Sequence, residues 1–171
     1  MAASAMITRP IPSTGEAMPV IGLGTSQVFD IGNDAGSRRP LREVLRLMLE
    51  AGGKIIDTSP MYGRAEAVTG DLVAEAAARP GVFLATKVWT SGREAGIAQM
   101  RRSAELLKSA VIDLIQVHNL LDWRTQLVSL RRMKGKRPVC DVRTVGGGAW
   151  SERVLGGCGA VGYIQLRPPW A

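Results

Sequence analysis

Histidine and cysteine are scarce in this chain and no long apolar run occurs, and each shortage excludes a class of protein. A single histidine, His118, cannot build a metal site by itself. Two cysteines, Cys140 and Cys158, form neither a zinc pattern nor a disulfide framework, so a reducing cytoplasm is the expected compartment. No apolar stretch approaches the roughly 18 residues that suggest a membrane span. The N-terminal Met-Ala-Ala-Ser-Ala-Met-Ile-Thr-Arg-Pro has no positive segment followed by an apolar core, so no signal peptide is expected. Acidic residues are scarce in one place only. Residues 1–130 carry 14 Lys/Arg against 13 Asp/Glu, a net +1, whereas residues 131–171 carry 8 against 2, a net +6. A basic chain invites a nucleic-acid reading. Here the excess sits in a tail without interleaved aromatics or an RNA-binding signature, so neither nucleic acid nor membrane is an expected partner.

The rest of the composition is that of one globular domain. With 171 residues, 46% hydrophobic and 22% charged, the chain is long enough to bury most of its apolar surface. Residues 6–13 and 17–20 read as a small hairpin around Ser13-Thr14-Gly15. A first core strand over 19–25 ends in a glycine turn. Leu41, Val44, Leu45 and Met48 then recur at helical spacing over 40–51, and Gly52-Gly53 stops that helix. Strands at 54–58, 82–87 and 111–117 alternate with helices at about 64–78, 93–109 and 122–134. The last two helices are expected to bury Ile97, Met100, Ala104 and Leu107, and Leu127, Leu130 and Met133. Such alternation with short connections implies a parallel sheet, either doubly wound or a (β/α)8 barrel. Further strands are expected at 138–144 and 161–166.

Four polar residues end or follow short apolar runs. Asp57 and Tyr62 lie in Ile-Ile-Asp-Thr-Ser-Pro-Met-Tyr-Gly (55–63), Lys87 ends Val-Phe-Leu-Ala-Thr-Lys, and His118 ends Ile-Asp-Leu-Ile-Gln-Val-His. Taken singly, each has a bland reading: a turn cap, a packing ring, a solvated strand end, a structural imidazole. Together they occupy the C-terminal ends of successive strands, where α/β barrels carry their chemistry. An ordinary phenol, with a pKa near 10, is a poor acid-base group at neutral pH. A neighbouring ammonium favours the phenolate, a carboxylate keeps that ammonium charged, and a neutral imidazole can orient a substrate oxygen. The set is a device for protonating a carbonyl oxygen. It needs a hydride donor, and the sequence offers no metal or flavin motif for that role. Gly22-Leu-Gly-Thr25 does not make a Rossmann turn, because the third glycine of G-x-G-x-x-G falls at Gln27.

Residues 20–130 resemble the aldo-keto reductases. The resemblance rests on Gly22-Leu-Gly-Thr25, Ile56-Asp-Thr-Ser-Pro-Met-Tyr-Gly63, Ala85-Thr-Lys-Val-Trp89 and Asp113-Leu-Ile-Gln-Val-His-Asn119, in that order. It implies a TIM barrel, NADPH as hydride donor, and reduction of an aldehyde or ketone. By the same resemblance Tyr62 is the general acid, Lys87 makes it the better proton donor, Asp57 holds Lys87, and His118 orients the carbonyl. Gly24, Thr25, Asp57 and Gln165 become cofactor contacts, and Trp89 joins His118 at the substrate.

The likeness fades after about Lys134. The tail carries 8 of the 20 glycines and both cysteines. A rise in Gly, Arg, Pro, Trp and Cys is what GC-rich coding sequence yields out of frame, so residues from about 133 are expected to derive from a shifted reading frame. A short paralogue with a divergent tail is the alternative. The expected architecture is a partial (β/α)8 barrel of about five to six β/α units that does not close, with residues 1–134 as its N-terminal half and 135–171 as a Gly/Arg-rich tail. The alternative to an NADPH-dependent reductase is a non-catalytic half-barrel that persists by pairing its open sheet edges.

Overall fold

The computed structural model describes residues 6–11, 15–134 and 142–145. A hairpin comes first, β1 (Thr8–Pro10) and β2 (Ala17–Pro19), antiparallel with Thr8 opposite Pro19. It is followed by β3 (Leu23–Gly24), α1 (Ala35–Glu50), β4 (Ile55–Asp57), α2 (Ala65–Glu75), β5 (Phe83–Val88), α3 (Arg93–Leu106), β6 (Leu114–His118), α4 (Trp123–Lys134) and β7 (Val142–Val145). Strands β3 to β7 form one parallel sheet in chain order. Among the described residues the sheet does not close, so the architecture is α/β and that of a partial barrel.

Register decides which residues share a face, because successive side chains on a strand point to opposite sides. Ile56 lies opposite Leu84, and Thr86 opposite Ile115. Ile56, Leu84, Val88, Ile115 and Val117 therefore share the outer face, where they form the main core with helix residues such as Leu45, Leu72, Met100 and Leu107. The inner face holds Ile55 and Phe83 at the starts of β4 and β5. There Ile11 and Met18 of the hairpin segment pack on Ile55, with Phe83 against the cluster. The hairpin thus covers the N-terminal end of the inner face, and the C-terminal strand ends remain for the site.

Several helix expectations need correcting. α1 begins at Ala35, five residues before the predicted start, because Asp34 caps it: its Oδ1 accepts from the Ser37 N–H at 2.8 Å. Pro40 lies inside that helix. Val44 and Met133, expected on apolar faces, are exposed. Arg38 and Gln126 are buried instead. Burial of Arg38 is tolerable because its guanidinium is satisfied, by Asp71 at 2.6 Å, Asn33 at 2.8 Å and the Gly32 carbonyl at 3.0 Å. Hydrophobic periodicity cannot register a polar side chain whose hydrogen bonds are met inside the fold. Of the two further strands expected, the first is β7 and the second, at 161–166, falls outside the described residues.

Candidate active site

The three strand-end groups are brought to one face by register. Asp57 lies opposite Ala85, and Lys87 is two residues further along β5. Lys87 lies opposite Gln116, and His118 is two residues further along β6. Even offsets preserve the face, so Asp57, Lys87 and His118 all belong to the inner side. Each step also moves the group two residues toward the C-terminal end, the stagger expected of strands tilted around a barrel.

Asp57 and Lys87 form a close pair. Lys87 Nζ donates to Asp57 Oδ2 at 2.7 Å and to the Thr58 carbonyl at 2.9 Å. The lysine side chain is 4% exposed, so the charge is desolvated and needs that partner. Asp57 is fixed in turn through its backbone, whose carbonyl accepts from the Thr25 N–H at 3.1 Å and the Thr25 hydroxyl at 3.0 Å. Thr25, expected at the cofactor, is fully buried and gives its hydroxyl proton to this bond. Gly24 pairs with Asp57 in the sheet, and a Cβ there would meet nothing within 4 Å.

Tyr62 comes from the turn after β4. Its N–H donates to Ser59 at 3.0 Å and its carbonyl accepts from Ala65 at 3.1 Å. The turn passes through Gly63 in the left-handed region, φ +58°, where a Cβ would collide with the Asp30 carboxylate. Asp30 Oδ1 takes the Arg64 N–H at 2.9 Å, which ties this turn to the β3–α1 loop. Lys87 Nζ lies 5.0 Å from the centroid of the Tyr62 ring. No hydrogen bond to the Tyr62 hydroxyl occurs among the described residues.

His118 is half-buried. Burial pushes its pKa below the ordinary value, the Lys87 ammonium pushes the same way, and Asp57 opposes them. The imidazole is therefore neutral at neutral pH. Its Nδ1 is buried without a partner. Trp89 meets it edge to face, with ring centroids 6.4 Å apart and planes at 81°. The structure thus brings Tyr62, Asp57, Lys87, His118 and Trp89 to one end of the sheet, beside Gly24 and Thr25. Gln165 lies outside the described residues.

Other polar groups around the site carried no sequence signal of their own. The Thr58 carbonyl is a backbone ligand and invisible to side-chain motifs. Behind the sheet, Thr86 donates to Glu66 Oε1 at 2.6 Å, and burial pushes the Glu66 carboxyl up. Gln99, Asp122 and Gln126 hold the loop after Trp89. Asp122 and Gln126, four residues apart at the start of α4, are the one pair that helical spacing could have flagged.

Comparison with known proteins gives a consistent picture. Residues 20–137 match the aldo/keto reductase family. The chain is 35% identical to the methylglyoxal reductase YeaE of Escherichia coli K12 over 106 residues, 60% of this chain and 36% of that protein. It is 28% identical to the aldo-keto reductase YhdN of Bacillus subtilis 168 over 177 residues, 94% of this chain and 52% of that one. The chain thus spans between about a third and a half of the length of these relatives. Among solved structures, an aldo/keto reductase from Klebsiella pneumoniae in complex with NADP and acetate superposes with a TM-score of 0.69 at 23% identity, over 82% of this chain and 50% of its own.

Proposed function

The chain belongs to the aldo/keto reductase family, and on that premise we propose that it carries the proton-donating half of an NADPH-dependent reductase of aldehydes or ketones, with Tyr62 as general acid. The observation that carries the reading is the Lys87 ammonium, held by Asp57 at 2.7 Å and set 5.0 Å from the Tyr62 ring, on the same face as a neutral imidazole. Family membership makes the protein an oxidoreductase by class, the YeaE relative is a methylglyoxal reductase, and the Klebsiella neighbour was solved with NADP.

The residues present fit a carbonyl and a nicotinamide. No side chain here can donate a hydride, so the reduction needs a donor from outside the chain, and the lysine charge is already compensated by Asp57. Gly24 and Asp57 would hold the cofactor, while Thr25, fully buried, supports Asp57 from behind. When bound, the dihydronicotinamide supplies the hydride that the carbonyl carbon accepts. The carbonyl oxygen, oriented by a hydrogen bond from the neutral His118, takes the proton of the Tyr62 hydroxyl and leaves as an alcohol. Lys87 stabilises the phenolate left behind, and Asp57 keeps Lys87 charged and in place. Solvent then returns a proton to Tyr62.

Tyr62→Phe tests this directly. It is expected to lower NADPH-dependent turnover of methylglyoxal by about 10²- to 10⁴-fold, the usual weight of a general acid, with NADPH affinity unchanged. A phenylalanine variant that turns over at the parental rate, or a purified parent that binds no NADPH, would sink the reading. The unpaired edges of β3 and β7 among the described residues favour a second reading, a non-catalytic half-barrel stabilised by association.

A further inference from the structure

We propose that Gln126, buried on α4, is the positioning residue for Trp89: it fixes the indole against His118 and so sets the width of the substrate pocket. The pocket part rests on the carbonyl-reductase reading, whereas the placement of Trp89 does not.

Trp89 follows directly on β5, is 41% exposed, and meets the His118 ring in a T-shaped contact that leaves much of the indole uncovered. Its position is therefore set through its backbone. Residues 89–92 have left the sheet ladder, so their peptide groups need partners from elsewhere. Three side chains supply them. Gln99 of α3 accepts the Trp89 N–H on Oε1 at 2.6 Å and returns Nε2 to the Trp89 carbonyl at 3.3 Å. Asp122 Oδ2 accepts the Gly92 N–H at 2.7 Å. Gln126 Nε2 donates to the carbonyls of Thr90 at 3.1 Å and Gly92 at 3.0 Å.

Gln126 is the buried member of this bracket, at 0% exposure. Two carbonyl acceptors dictate which end of its amide points at the loop. The other end, Oε1, is buried without a partner, against Gly96, where a Cβ would overlap it. An unpaired buried carbonyl is a standing cost. A leucine here would carry no polar atom and would pack between α3 and α4, but it would orphan the Thr90 carbonyl and leave the Gly92 carbonyl with the Gly96 N–H alone. The amide thus serves the loop and not the helix packing.

The bracket also couples the loop to His118. β6 ends at His118, and α4 starts five residues later through a turn in which Asn119, Leu120 and Asp122 have φ of +52°, +55° and +45°. Non-glycine residues hold such angles only where their surroundings over-determine them. Asp122 and Gln126 lie one turn apart at the head of α4 and grip Gly92 by both its N–H and its carbonyl. The element that follows His118 is therefore the element that fixes the loop after Trp89, and the two rings are held as one unit.

The test uses the full chain with Trp123, Trp150 and Trp170 replaced by Phe, so that Trp89 alone fluoresces. Gln126→Leu is expected to red-shift Trp89 emission and to raise its acrylamide quenching about twofold or more, as a loop losing its buried anchor becomes mobile. In the parent background it is expected to raise KM for an aromatic aldehyde about tenfold while kcat stays within about twofold, the signature of lost positioning. If Gln126→Leu does not fold, Gln126→Met, which removes the same donors from a flexible side chain, takes its place. A lowered Tm with unchanged Trp89 emission and quenching would show a packing role only and overturn the proposal. A mobile Trp89 with an unchanged KM would overturn its pocket part. A parent that turns over no aldehyde with NADPH would refute the carbonyl-reductase reading, and the fluorescence result would still decide the placement.

Discussion

His118 is the residue whose environment can be read most directly, because it is the only histidine in the chain. Its ring-proton resonances in a proton NMR spectrum therefore need no assignment. Burial depresses its pKa below the ordinary 6.5, Lys87 adds to the depression, and Asp57 partly offsets it. The expected titration midpoint in the folded protein lies below 6.5. Lys87→Met should move it upward, since the substitution removes a depressing charge and releases Asp57 from its pair. The linkage runs one way. A base with a depressed folded pKa binds its proton more readily when unfolded, so its contribution to stability is present above pH 6.5 and is lost as pH falls through the folded midpoint. A midpoint at or above 6.5 in the parent would contradict the half-buried, lysine-flanked setting of His118.

At the scale of elements, α2 and α3 approach each other backbone to backbone at Gly70. A Cβ at Gly70 of α2 would overlap the Leu106 carbonyl and fall 2.8 Å from the backbone of Leu107. Two effects of Gly70→Ala oppose each other. Helix propensity favours alanine by about 1 kcal/mol. Overpacking against backbone that cannot rotate away costs about 1–3 kcal/mol. The contact is with main chain, so the second is expected to win, and chemical denaturation should show a net loss of up to about 2 kcal/mol. A stabilised variant would mean that the two helices are not this close. The same elements show what sequence makes legible. The alternation of strands and helices, the hairpin and the strand-end positions of Asp57, Lys87 and His118 all followed from apolar runs and glycine turns. What did not follow had a common physical cause. The start of α1 depended on Asp34 reaching Ser37, the burial of Arg38 on three partners up to 33 residues away, and the burial of Gln126 on two carbonyls of a distant loop. Each is a polar side chain satisfied by the fold, and a pattern of apolar residues carries no trace of it. The exposure of Val44 and Met133 is the other side of the same limit.

For the whole molecule, the question is what the open sheet does with its edges. Strands β4 to β6 bury their outer face under four helices, and the hairpin covers only the N-terminal end of the inner face. Nothing among the described residues pairs with the free sides of β3 or β7. The two edges are unequal. β3 contributes two residues, too short to template another strand, whereas β7 contributes four, Val142–Val145, three of them β-branched and so suited to pairing. Parallel sheets are ordinarily covered on both faces and closed or flanked at their edges. A sheet whose β-branched edge is unpaired among the described residues, with a half-covered inner face, is expected to complete itself with another chain. We therefore expect the purified protein to sediment as a species larger than its 18.3 kDa monomer, with the proportion rising with concentration. Association through β7 would leave the C-terminal strand ends free, so it is compatible with NADPH-dependent turnover, whereas association across the inner face would cover Asp57, Lys87 and His118. Measuring turnover across the same concentration range separates the two: constant specific activity supports edge pairing, and activity that falls as the assembly grows supports face pairing. A folded monomer at every concentration tested would show that the edge is protected and that the half-barrel needs no second chain.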